Sequence, residues 1–372
     1  MKYYLIAGEA SGDMHAANLI IALREKDPQA SFRCFGGDKM KEAGASLFIH
    51  YREMALMGFD VVKKYPVIRK NKMLCRTDIL QYKPDVLILV DYSGFNLPMA
   101  KFAAEHGIRV IYYISPKLWA WAKWRVKSVQ KYVQKMFVLM PFEVDFYRQY
   151  QVDAEYYGNP VLDSIENFKK GYSQTEDFRK KNDLSEKPII ALLAGSRKQE
   201  ILHLLPEMLA AAESFPDYQF VIAGAPSIAE SYYENFTANR NVRIIYNQTY
   251  ELLMNAKAAV VTSGTATLET ALLNVPEAVV YKTGAFTFFI GNFLVKIKYF
   301  SLVNLILDRP AVKELLQENL AGDIKSELDL LLNDANYREE MLSNFAELRS
   351  ILGEPGVAAR VAGRIYTILQ QK

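Results

Sequence analysis

Short apolar runs alternate with amphipathic stretches along the first half of the chain. The runs predict strands at Tyr3–Ala7, Val86–Val90, Val110–Ile114 and Lys135–Leu139, with helices at Met14–Arg24 and Met99–Glu105. Residues 86–90 are hydrophobic at every position, which is typical of a strand buried on both faces of a sheet. The strand–helix–strand rhythm therefore favours an α/β fold with a parallel, doubly wound sheet.

The same rhythm resumes after a polar and charged stretch at 163–187. The predicted strands of the second half are Ile189–Leu193, Gln219–Ala223, Val242–Tyr246, Ala258–Val261 and Ala278–Tyr281, and the pattern from Val312 onward is helical. We expect two Rossmann-like domains facing a cleft, at residues 1–165 and 185–345. Residues 346–372 are expected to form a helix that crosses back to the first domain. Ligands bind such sheets at the carboxyl ends of their strands.

Composition narrows the class of protein. Of the 372 residues 51% are hydrophobic and 23% charged, and the formal net charge is +3, which is too small to indicate nucleic acid. Cys34 and Cys75 show neither ligand spacing nor a disulfide framework, which favours a reducing compartment. The four histidines lack metal-site spacing. We therefore expect no metal, no other cofactor and no nucleic-acid partner.

Two strand–turn–helix junctions in the second half suit a diphosphate. Ala258–Val261 runs into Thr262-Ser263-Gly264-Thr265-Ala266, and Ile189–Leu193 runs into Ala194-Gly195-Ser196-Arg197. Each junction predicts backbone N–H groups at the positive end of a helix dipole, and the second adds a guanidinium for phosphate. The alternative at each turn is simple helix capping. Glu269 falls about one turn into the following helix, where a carboxylate can accept from a ribose hydroxyl.

Carboxylates follow two strands of the first half. The turn Gly8-Glu9-Ala10-Ser11-Gly12-Asp13 is not the dinucleotide fingerprint, because Glu9 and Asp13 place negative charge where a pyrophosphate would lie. Such a turn suits sugar hydroxyls or proton transfer, although Asp13 also fits a helix cap. Asp91 ends the buried strand 86–90 and is our first candidate for a general base; an Asx turn is the alternative.

Aromatic and basic residues are interleaved at two places. Residues 112–125 contain all three tryptophans together with Lys117, Lys123 and Arg125, a composition that suits sugar faces, a phosphate or acyl chains as well as a tryptophan-packed helix. Residues 61–76 mix six cations with apolar side chains, which predicts a solvated helix face or a patch for an anionic membrane. The apolar stretch 284–295 is too short to span a bilayer and reads as a buried helix or an interfacial surface.

Several motifs, taken in their order along the chain, resemble the lipid-A-disaccharide synthase family of inverting GT-B glycosyltransferases from Gram-negative bacteria. The motifs are GEASGD at 8–13, Met57-Gly58, SPKLWAW at 115–121, MPFE at 140–143, AGSR at 194–197, SGTATLE at 263–269, FTF at 286–288 and the stretch 294–318.

The resemblance implies transfer of a diacylated glucosamine from UDP to an acylated glucosamine 1-phosphate, giving a β-1,6-linked disaccharide and UDP. It also implies a metal-free enzyme bound peripherally to the cytoplasmic face of the inner membrane, and a homodimer is a further expectation. Rival interpretations are another GT-B enzyme, such as a UDP-N-acetylglucosamine epimerase or a transferase with an unacylated acceptor, and a catalytically silent lipid- or nucleotide-binding protein.

The residues and the resemblance together define a candidate site. The expected catalytic residues are Asp91, Glu9 and Asp13; the expected substrate-binding residues are Ser11, Gly12, Met57, Asn96, Ser115, Pro116 and Trp119; the expected UDP-binding residues are Gly195, Ser196, Arg197, Ser263, Gly264, Thr265, Glu269 and Asn304. The chain departs from the family at Gly94, where the family commonly has the second aspartate of D-x-P-D-F-N. That aspartate is often the suspected base, so the base must be sought elsewhere here.

Overall fold

The computed structural model describes residues 1–54, 65–172, 178–238, 240, 242–282, 298–316 and 319–371. Met57 and the stretches 284–295 and 286–288, which the sequence singled out, lie outside these residues. The described part contains no helix that is both long enough and apolar enough to cross a membrane. Contacts between Cα atoms divide the chain into two compact units, Met1–Asp163 with Gly353–Lys372 and Ser164–Leu352.

The first unit is built on a parallel sheet. Its seven described strands lie in the order β3-β2-β1-β4-β5-β6-β7. They are β1 (Lys2–Ala7), β2 (Ser31–Gly36), β3 (Ser46–His50), β4 (Val86–Val90), β5 (Arg109–Tyr113), β6 (Lys135–Phe137) and β7 (Ala154–Glu155). The order reverses between β1 and β4, which is the topological switch point of a doubly wound sheet.

The second unit repeats this topology. Its six described strands have the order β10-β9-β8-β11-β12-β13. They are β8 (Ile189–Leu193), β9 (Gln219–Gly224), β10 (Arg243–Tyr246), β11 (Ala256–Thr262), β12 (Glu277–Tyr281) and β13 (Lys313–Leu316). Here the switch point lies between β8 and β11. The predicted class, two Rossmann-like doubly wound sheets, is confirmed.

Helices connect these strands. In the described residues they are α1 (Ala10–Lys26), α2 (Asp38–Glu42), α3 (Tyr51–Met54), α4 (Tyr65–Tyr82), α5 (Ser93–Glu105), α6 (Leu118–Trp121), α7 (Val126–Tyr132), α8 (Phe142–Arg148), α9 (Val161–Gly171), α10 (Phe178–Lys181), α11 (Lys198–Ala212), α12 (Glu230–Thr237), α13 (Thr249–Met254), α14 (Thr265–Leu272), α15 (Leu302–Leu307), α16 (Leu320–Asn333), α17 (Ala335–Leu352) and α18 (Val357–Gln370). A short 3-10 helix covers Lys123–Arg125.

Alternate residues of each central strand supply two separate cores. In β1, Tyr3 and Leu5 pack with α1 and the C-terminal helix α18, whereas Tyr4 and Ile6 pack with α4, α5 and α7 on the opposite face. Both faces are covered, so every position of the strand must be apolar. This is the physical origin of the continuous apolar runs in the sequence.

The C-terminal helix α18 belongs to the first unit. The Asp163 carboxylate accepts hydrogen bonds from the N–H groups of Gly356 (2.6 Å), Val357 (2.9 Å) and Ala358 (2.8 Å) and so caps the helix. At the other end, the Arg109 guanidinium donates to the carbonyls of Ile368 and Leu369. The preceding helix α17 lies in the second unit, so the chain changes unit at Gly353.

The edge of the second sheet corrects one prediction. We expected helix from Val312 onward, but Lys313–Leu316 forms β13 and pairs in parallel with β12. Lys, Glu and Leu favour helices in isolation, and pairing at the sheet edge overrides that local preference. Strand β2 and the edge strand β3 also escaped prediction, since Ser31, Arg33 and Ser46 interrupt their apolar pattern.

Glu277, the first residue of β12, is expected to weaken the fold. Its side chain is buried, neither oxygen has a hydrogen-bond partner among the described residues, and burial raises its carboxyl pKa well above the ordinary value. Because the native state then holds a proton that the unfolded chain releases, stability falls as pH rises above about 4.5.

Glu277→Met should therefore raise the free energy of unfolding by about 1–3 kcal/mol at pH 8, and by less at pH 5. Thermal melting at the two pH values measures this. Glu186→Met, at an exposed position, serves as the control, and an equal or lower melting temperature for Glu277→Met would contradict the assignment.

Candidate active site

The two switch points gather most of the residues expected from the sequence. In the first unit β1 pairs with β4 up to Ala7 and Val90, so the segments that begin at Gly8 and Asp91 leave the sheet side by side. In the second unit β8 pairs with β11 up to Leu193 and Val261, which places the turns 194–197 and 263–265 next to each other. Each unit thus has its own cluster of polar residues at the carboxyl edge of its sheet.

Asp91 lies in an unusual backbone conformation. Asp91 and Tyr92 have φ angles of 43° and 45°, and Ile114, whose carbonyl accepts from the Asp91 N–H at 3.0 Å, has a φ of 68°. A left-handed conformation is uncommon for any residue with a Cβ and is a clear outlier for a β-branched one. Such strain costs roughly 1–3 kcal/mol per residue and persists only where neighbours enforce it.

Buried polar side chains enforce the conformation of Asp91. The Asn96 amide donates to the carbonyls of Val90 (3.0 Å) and Asp91 (2.8 Å), and the Tyr112 hydroxyl donates to the Asp91 carbonyl at 2.5 Å. Asn96 is completely buried. Its amide nitrogen holds the turn that carries Asp91, whereas its Oδ1 has no hydrogen-bond partner among the described residues. The expected contact of Asn96 with a substrate stays a prediction.

The charges around Asp91 suit proton transfer. Burial and the nearby Glu9 carboxylate raise its pKa to about 6, and Lys117 acts in the opposite direction. A carboxylate with this pKa is ionised at neutral pH and still basic enough to accept a proton. Glu9 is half-buried and precedes α1 without capping it through its side chain. Lys117, which we did not place in the site, provides the local positive charge.

Glu9→Gln should lower the pKa of Asp91, because the variant removes the negative charge that raises it. In a profile of kcat/KM against pH, the acidic limb of the wild-type enzyme is expected at about pH 6. The limb of Glu9→Gln should lie at lower pH. Glu25→Gln, on the exposed side of the same helix, should leave the limb in place. An acidic limb at the wild-type pH in Glu9→Gln would show that the charge of Glu9 does not affect the pKa of Asp91.

Glycine is required at position 8. A Cβ atom at Gly8 would lie 2.3 Å from the Tyr92 ring, which packs directly over this turn. Ser11 is exposed in the first turn of α1, and Gly12 is buried with the Val90 side chain 3.4 Å from where its Cβ would be. Ser11 therefore presents a free surface to a ligand, and Gly12 allows α1 to approach the end of β4.

Asp13 has a different role from the catalytic one that we expected. Its Oδ1 accepts from the N–H groups of Gly37 (2.8 Å) and Met40 (3.1 Å), and Oδ2 accepts from Lys39 (3.0 Å). The carboxylate is buried and caps α2, so both oxygens are already used. Asp13 is thus a structural residue, and it caps α2 rather than its own helix.

A buried glutamate organises the segment 115–121. Glu143 accepts from the Trp119 indole N–H (3.0 Å) and from the N–H groups of Leu139 and Met140 (2.9 Å each), and burial raises its pKa to about 7. Ser115 is buried beside it, and the Pro116 carbonyl accepts from the Tyr147 hydroxyl at 3.0 Å. Glu143 thus holds the indole of Trp119, which is only half-buried, while Ser115 and Pro116 are themselves anchored by Leu139 and Tyr147. The MPFE motif was the sequence signal for Glu143, although we did not name the residue.

The first turn of the second unit is already filled by a carboxylate. Glu200 Oε2 accepts from the N–H groups of Ser196 (2.9 Å) and Arg197 (3.2 Å), and Oε1 lies 2.9 Å from the Arg197 guanidinium. A Cβ at Gly195, whose φ is 106°, would lie 2.4 Å from Glu200. The N–H groups that we expected to be free therefore bind an internal anion. A glutamate three residues after a cap is a recognisable sequence signal that we missed.

The second turn presents a helix N-terminus. Thr265 begins α14, whose first N–H groups have no partner within the helix. The Ser263 N–H donates to Val280 and its hydroxyl donates to the Phe300 carbonyl at 2.6 Å, so Ser263 anchors the turn. Glu269 is half-buried and its Oε1 accepts from the Tyr250 hydroxyl at 2.6 Å. No sequence signal indicated Tyr250.

Asn304 supports the turn rather than a ligand. Its amide donates to Val312 and to Glu314 (2.9 Å each), and its Oδ1 accepts from the N–H groups of Ala311 (2.8 Å) and Val312 (2.9 Å). Glu314 also accepts from the N–H groups of Phe300 and Ser301. The Asn304 amide is buried and all of its hydrogen-bonding groups are used. We expected Asn304 to bind UDP; in the structure it instead helps to hold residues 300–301 beside Ser263.

Within the described residues, no group of three or more histidine, cysteine or acidic side chains is arranged to hold a metal ion.

The solved structures with similar folds include nucleotide-sugar enzymes. UDP-GlcNAc 2-epimerase from Neisseria meningitidis, bound to UDP-GlcNAc, has a TM-score of 0.72 at 13% identity and covers 99% of this chain and 100% of its own. A ugt transferase from Siraitia grosvenorii in complex with UDP has a TM-score of 0.62 at 14% identity, with 100% of both chains covered. At this identity the similarity concerns the fold alone, and it confirms the predicted GT-B class.

Sequence comparison is more specific. The model of the family described as lipid-A-disaccharide synthetase matches residues 3–350. The lipid-A-disaccharide synthase of Syntrophus aciditrophicus is 37% identical over 99% of this chain and 97% of its own length. That of Myxococcus xanthus is 38% identical over the same shares. The chain therefore belongs to the lipid-A-disaccharide synthase family.

Proposed function

We propose that this chain is an inverting glycosyltransferase that joins UDP-2,3-diacylglucosamine to 2,3-diacylglucosamine 1-phosphate. The products are the β-1,6-linked lipid A disaccharide 1-phosphate and UDP. Family membership along nearly the whole chain supports this assignment. The observation that carries the chemistry is Asp91, a carboxylate with a raised pKa in an enforced turn at the switch point of the first unit.

In this proposal Asp91 acts as the general base. Its carboxylate takes the proton of the acceptor 6-hydroxyl while the hydroxyl oxygen forms a bond to the anomeric carbon of the donor sugar. The bond from that carbon to the UDP oxygen breaks, and UDP leaves with the electron pair. Attack from the face opposite UDP inverts the configuration. Glu9 raises the basicity of Asp91, and Ser11 is available to bind a sugar hydroxyl.

The second unit is proposed to hold UDP. Arg197, which is half exposed, supplies positive charge for the departing diphosphate, together with the N-terminus of α14 at Gly264 and Thr265. Glu269 is proposed to accept from a ribose hydroxyl through the oxygen that Tyr250 does not use. Gly195 and Ser196 contribute by shaping the Arg197 turn.

A product assay tests the proposal. The purified chain is incubated with UDP-2,3-diacylglucosamine and 2,3-diacylglucosamine 1-phosphate, and the disaccharide is detected by thin-layer chromatography. We expect a disaccharide only when both substrates are present. Turnover of UDP-N-acetylglucosamine alone would indicate an epimerase, and the absence of any product from either mixture would indicate a binding protein.

We further propose that helix α4 meets the surface of the inner membrane from the cytoplasmic side. Val67 and Met73 are exposed to 44% and 65%, and Arg69 and Lys70 are exposed beside them. Exposed apolar and basic side chains on one helix suit an anionic interface. Sedimentation with phosphatidylglycerol vesicles tests this, and retention of the chain in the supernatant would refute it.

The expected homodimer is tested separately, by sedimentation velocity without lipid.

A further inference from the structure

A cavity of about 540 Å³ opens in the first unit beside the Asp91 turn. It is bounded by α4, α5 and the segment 124–132. Its lining begins at Ser93 and Gly94, directly after Asp91 and Tyr92, and extends along α5 to Glu105. At 1.5 Å per residue, this length of helix corresponds to about 18 Å.

Cations concentrate at this cavity. Arg76 and Arg125 line it, and the Arg125 guanidinium donates to the Ser93 hydroxyl at 3.4 Å. Lys72 lies one helical turn before Arg76; burial lowers its pKa, and the charges of Arg76 and Arg125 lower it further. The acidic lining residue Glu105 is already next to a cation, the Lys101 ammonium at 3.8 Å. Lys72 does not line the cavity itself. Two guanidinium groups on the lining, with the Lys72 ammonium near enough to interact with both, favour an anionic ligand.

The same cavity has hydrocarbon walls. The Arg76 guanidinium lies 5.3 Å from the centre of the Phe102 ring, and that of Arg125 lies 4.9 Å from the Trp124 ring. Leu97 contributes to the lining, and Trp124 is 70% exposed. A large exposed aromatic beside a cationic cavity suits an amphiphile, because the ring can cover an acyl chain while the guanidinium binds its charged head.

Gly94 lies at the end of the cavity nearest to Asp91. A Cβ atom at this position would meet no heavy atom within 4 Å, so packing does not explain the glycine. An aspartate at 94 would instead add negative charge to the mouth of a cation-lined cavity.

We propose that this cavity binds the phosphate and an adjoining acyl chain of the acceptor, an acylated sugar 1-phosphate. The proposal rests on the proposed function and adds the subsite for one substrate. The phosphate binds between Arg76 and Arg125, with Lys72 adding positive charge from outside the lining, and the acyl chain lies along Leu97, Phe102 and Trp124.

Binding without turnover tests the subsite. Calorimetry with short-chain 2,3-diacylglucosamine 1-phosphate should give a Kd at least about 10-fold higher for Arg76→Gln than for the wild type, since a charge-assisted hydrogen bond is lost. Lys127→Gln, an exposed change on α7 outside the cavity lining, should keep the wild-type Kd. Gly94→Asp should weaken binding, and Gly94→Asn should weaken it less.

Two further arms identify the source of the phosphate. The ligand without its phosphate should bind wild type and Arg76→Gln equally weakly. Phosphatidylglycerol vesicles should not displace the sugar phosphate; displacement at equal lipid concentration would assign the cavity to bilayer lipid and overturn the proposal. Equal Kd values for wild type, Arg76→Gln and Gly94→Asp would also overturn it. Because these arms need no product, a chain that binds the sugar phosphate but forms no disaccharide would refute the proposed function and retain the subsite.

Discussion

Replacing Asp91 with asparagine is expected to reduce kcat at least about 100-fold, the low end for loss of a general base. The amide cannot accept the proton of the acceptor hydroxyl, whereas the turn remains, since Asn96 and Tyr112 bind the backbone of residue 91 rather than its side chain. Initial rates of disaccharide formation at saturating substrates measure the effect. A kcat within about 3-fold of the wild type would remove Asp91 from the role of base.

The same variant should be more stable than the wild type. Asp91 has a pKa of about 6 in the folded protein against an ordinary 3.8, so the native state binds the proton more tightly and stability falls as pH rises from about 4 to about 6. Asparagine removes this penalty, which amounts to as much as about 3 kcal/mol at pH 7–8. Lower activity with a higher melting temperature would exclude simple unfolding.

Asp13→Asn provides the matched control. It makes the same chemical change in the same unit, but Asp13 accepts three backbone N–H bonds that cap α2. The amide nitrogen would face an N–H donor, and we expect a loss of about 1–3 kcal/mol in unfolding free energy. Residual folded protein should keep a kcat near that of the wild type. The two variants should therefore show opposite patterns. Asp91→Asn should gain stability and lose activity, whereas Asp13→Asn should lose stability and keep its activity.

Arg197→Ala is expected to raise the Kd for UDP about 10- to 100-fold. A hydrogen bond to a charged group contributes about 1.5–3 kcal/mol, and Arg197 adds a guanidinium to a turn at the carboxyl edge of β8. Calorimetry with UDP alone measures this. An unchanged Kd would place the diphosphate elsewhere.

Glu200→Gln is the complementary variant at the same turn. Its amide oxygen can still cap the N–H groups of Ser196 and Arg197, but the negative charge beside the guanidinium is gone. We expect UDP to bind at least as tightly as it does to the wild type. A loss of affinity as large as that of Arg197→Ala would show that the shape of the turn, rather than its charge, determines binding.

The strands that could be predicted from the sequence are those buried on both faces of a sheet. Strands β4, β8 and β11 were predicted because both faces of each are covered, so that nearly every residue is apolar. The unpredicted strands β2 and β13 carry no such pattern: Arg33 in β2 and Glu314 in β13 are bound by ion-pair or amide partners that the sequence does not reveal. The roles of the polar residues also depended on burial. Asn96 and Asn304 occupy motifs that suggest ligand contact, but both side chains are buried and their amide nitrogens donate to backbone carbonyls.

By itself the sequence determined that this chain forms two doubly wound sheets with glycine-containing turns and carboxylates at strand ends, because apolar periodicity and turn residues are local properties. The tertiary structure alone decided which polar groups remain available. Glu9 and Asp91 affect each other only because β1 pairs with β4. Both oxygens of Asp13 are occupied because the N–H groups at the start of α2 lie next to them. Electrostatic effects and hydrogen bonds depend on distances between residues far apart in the chain, and those distances exist only after folding.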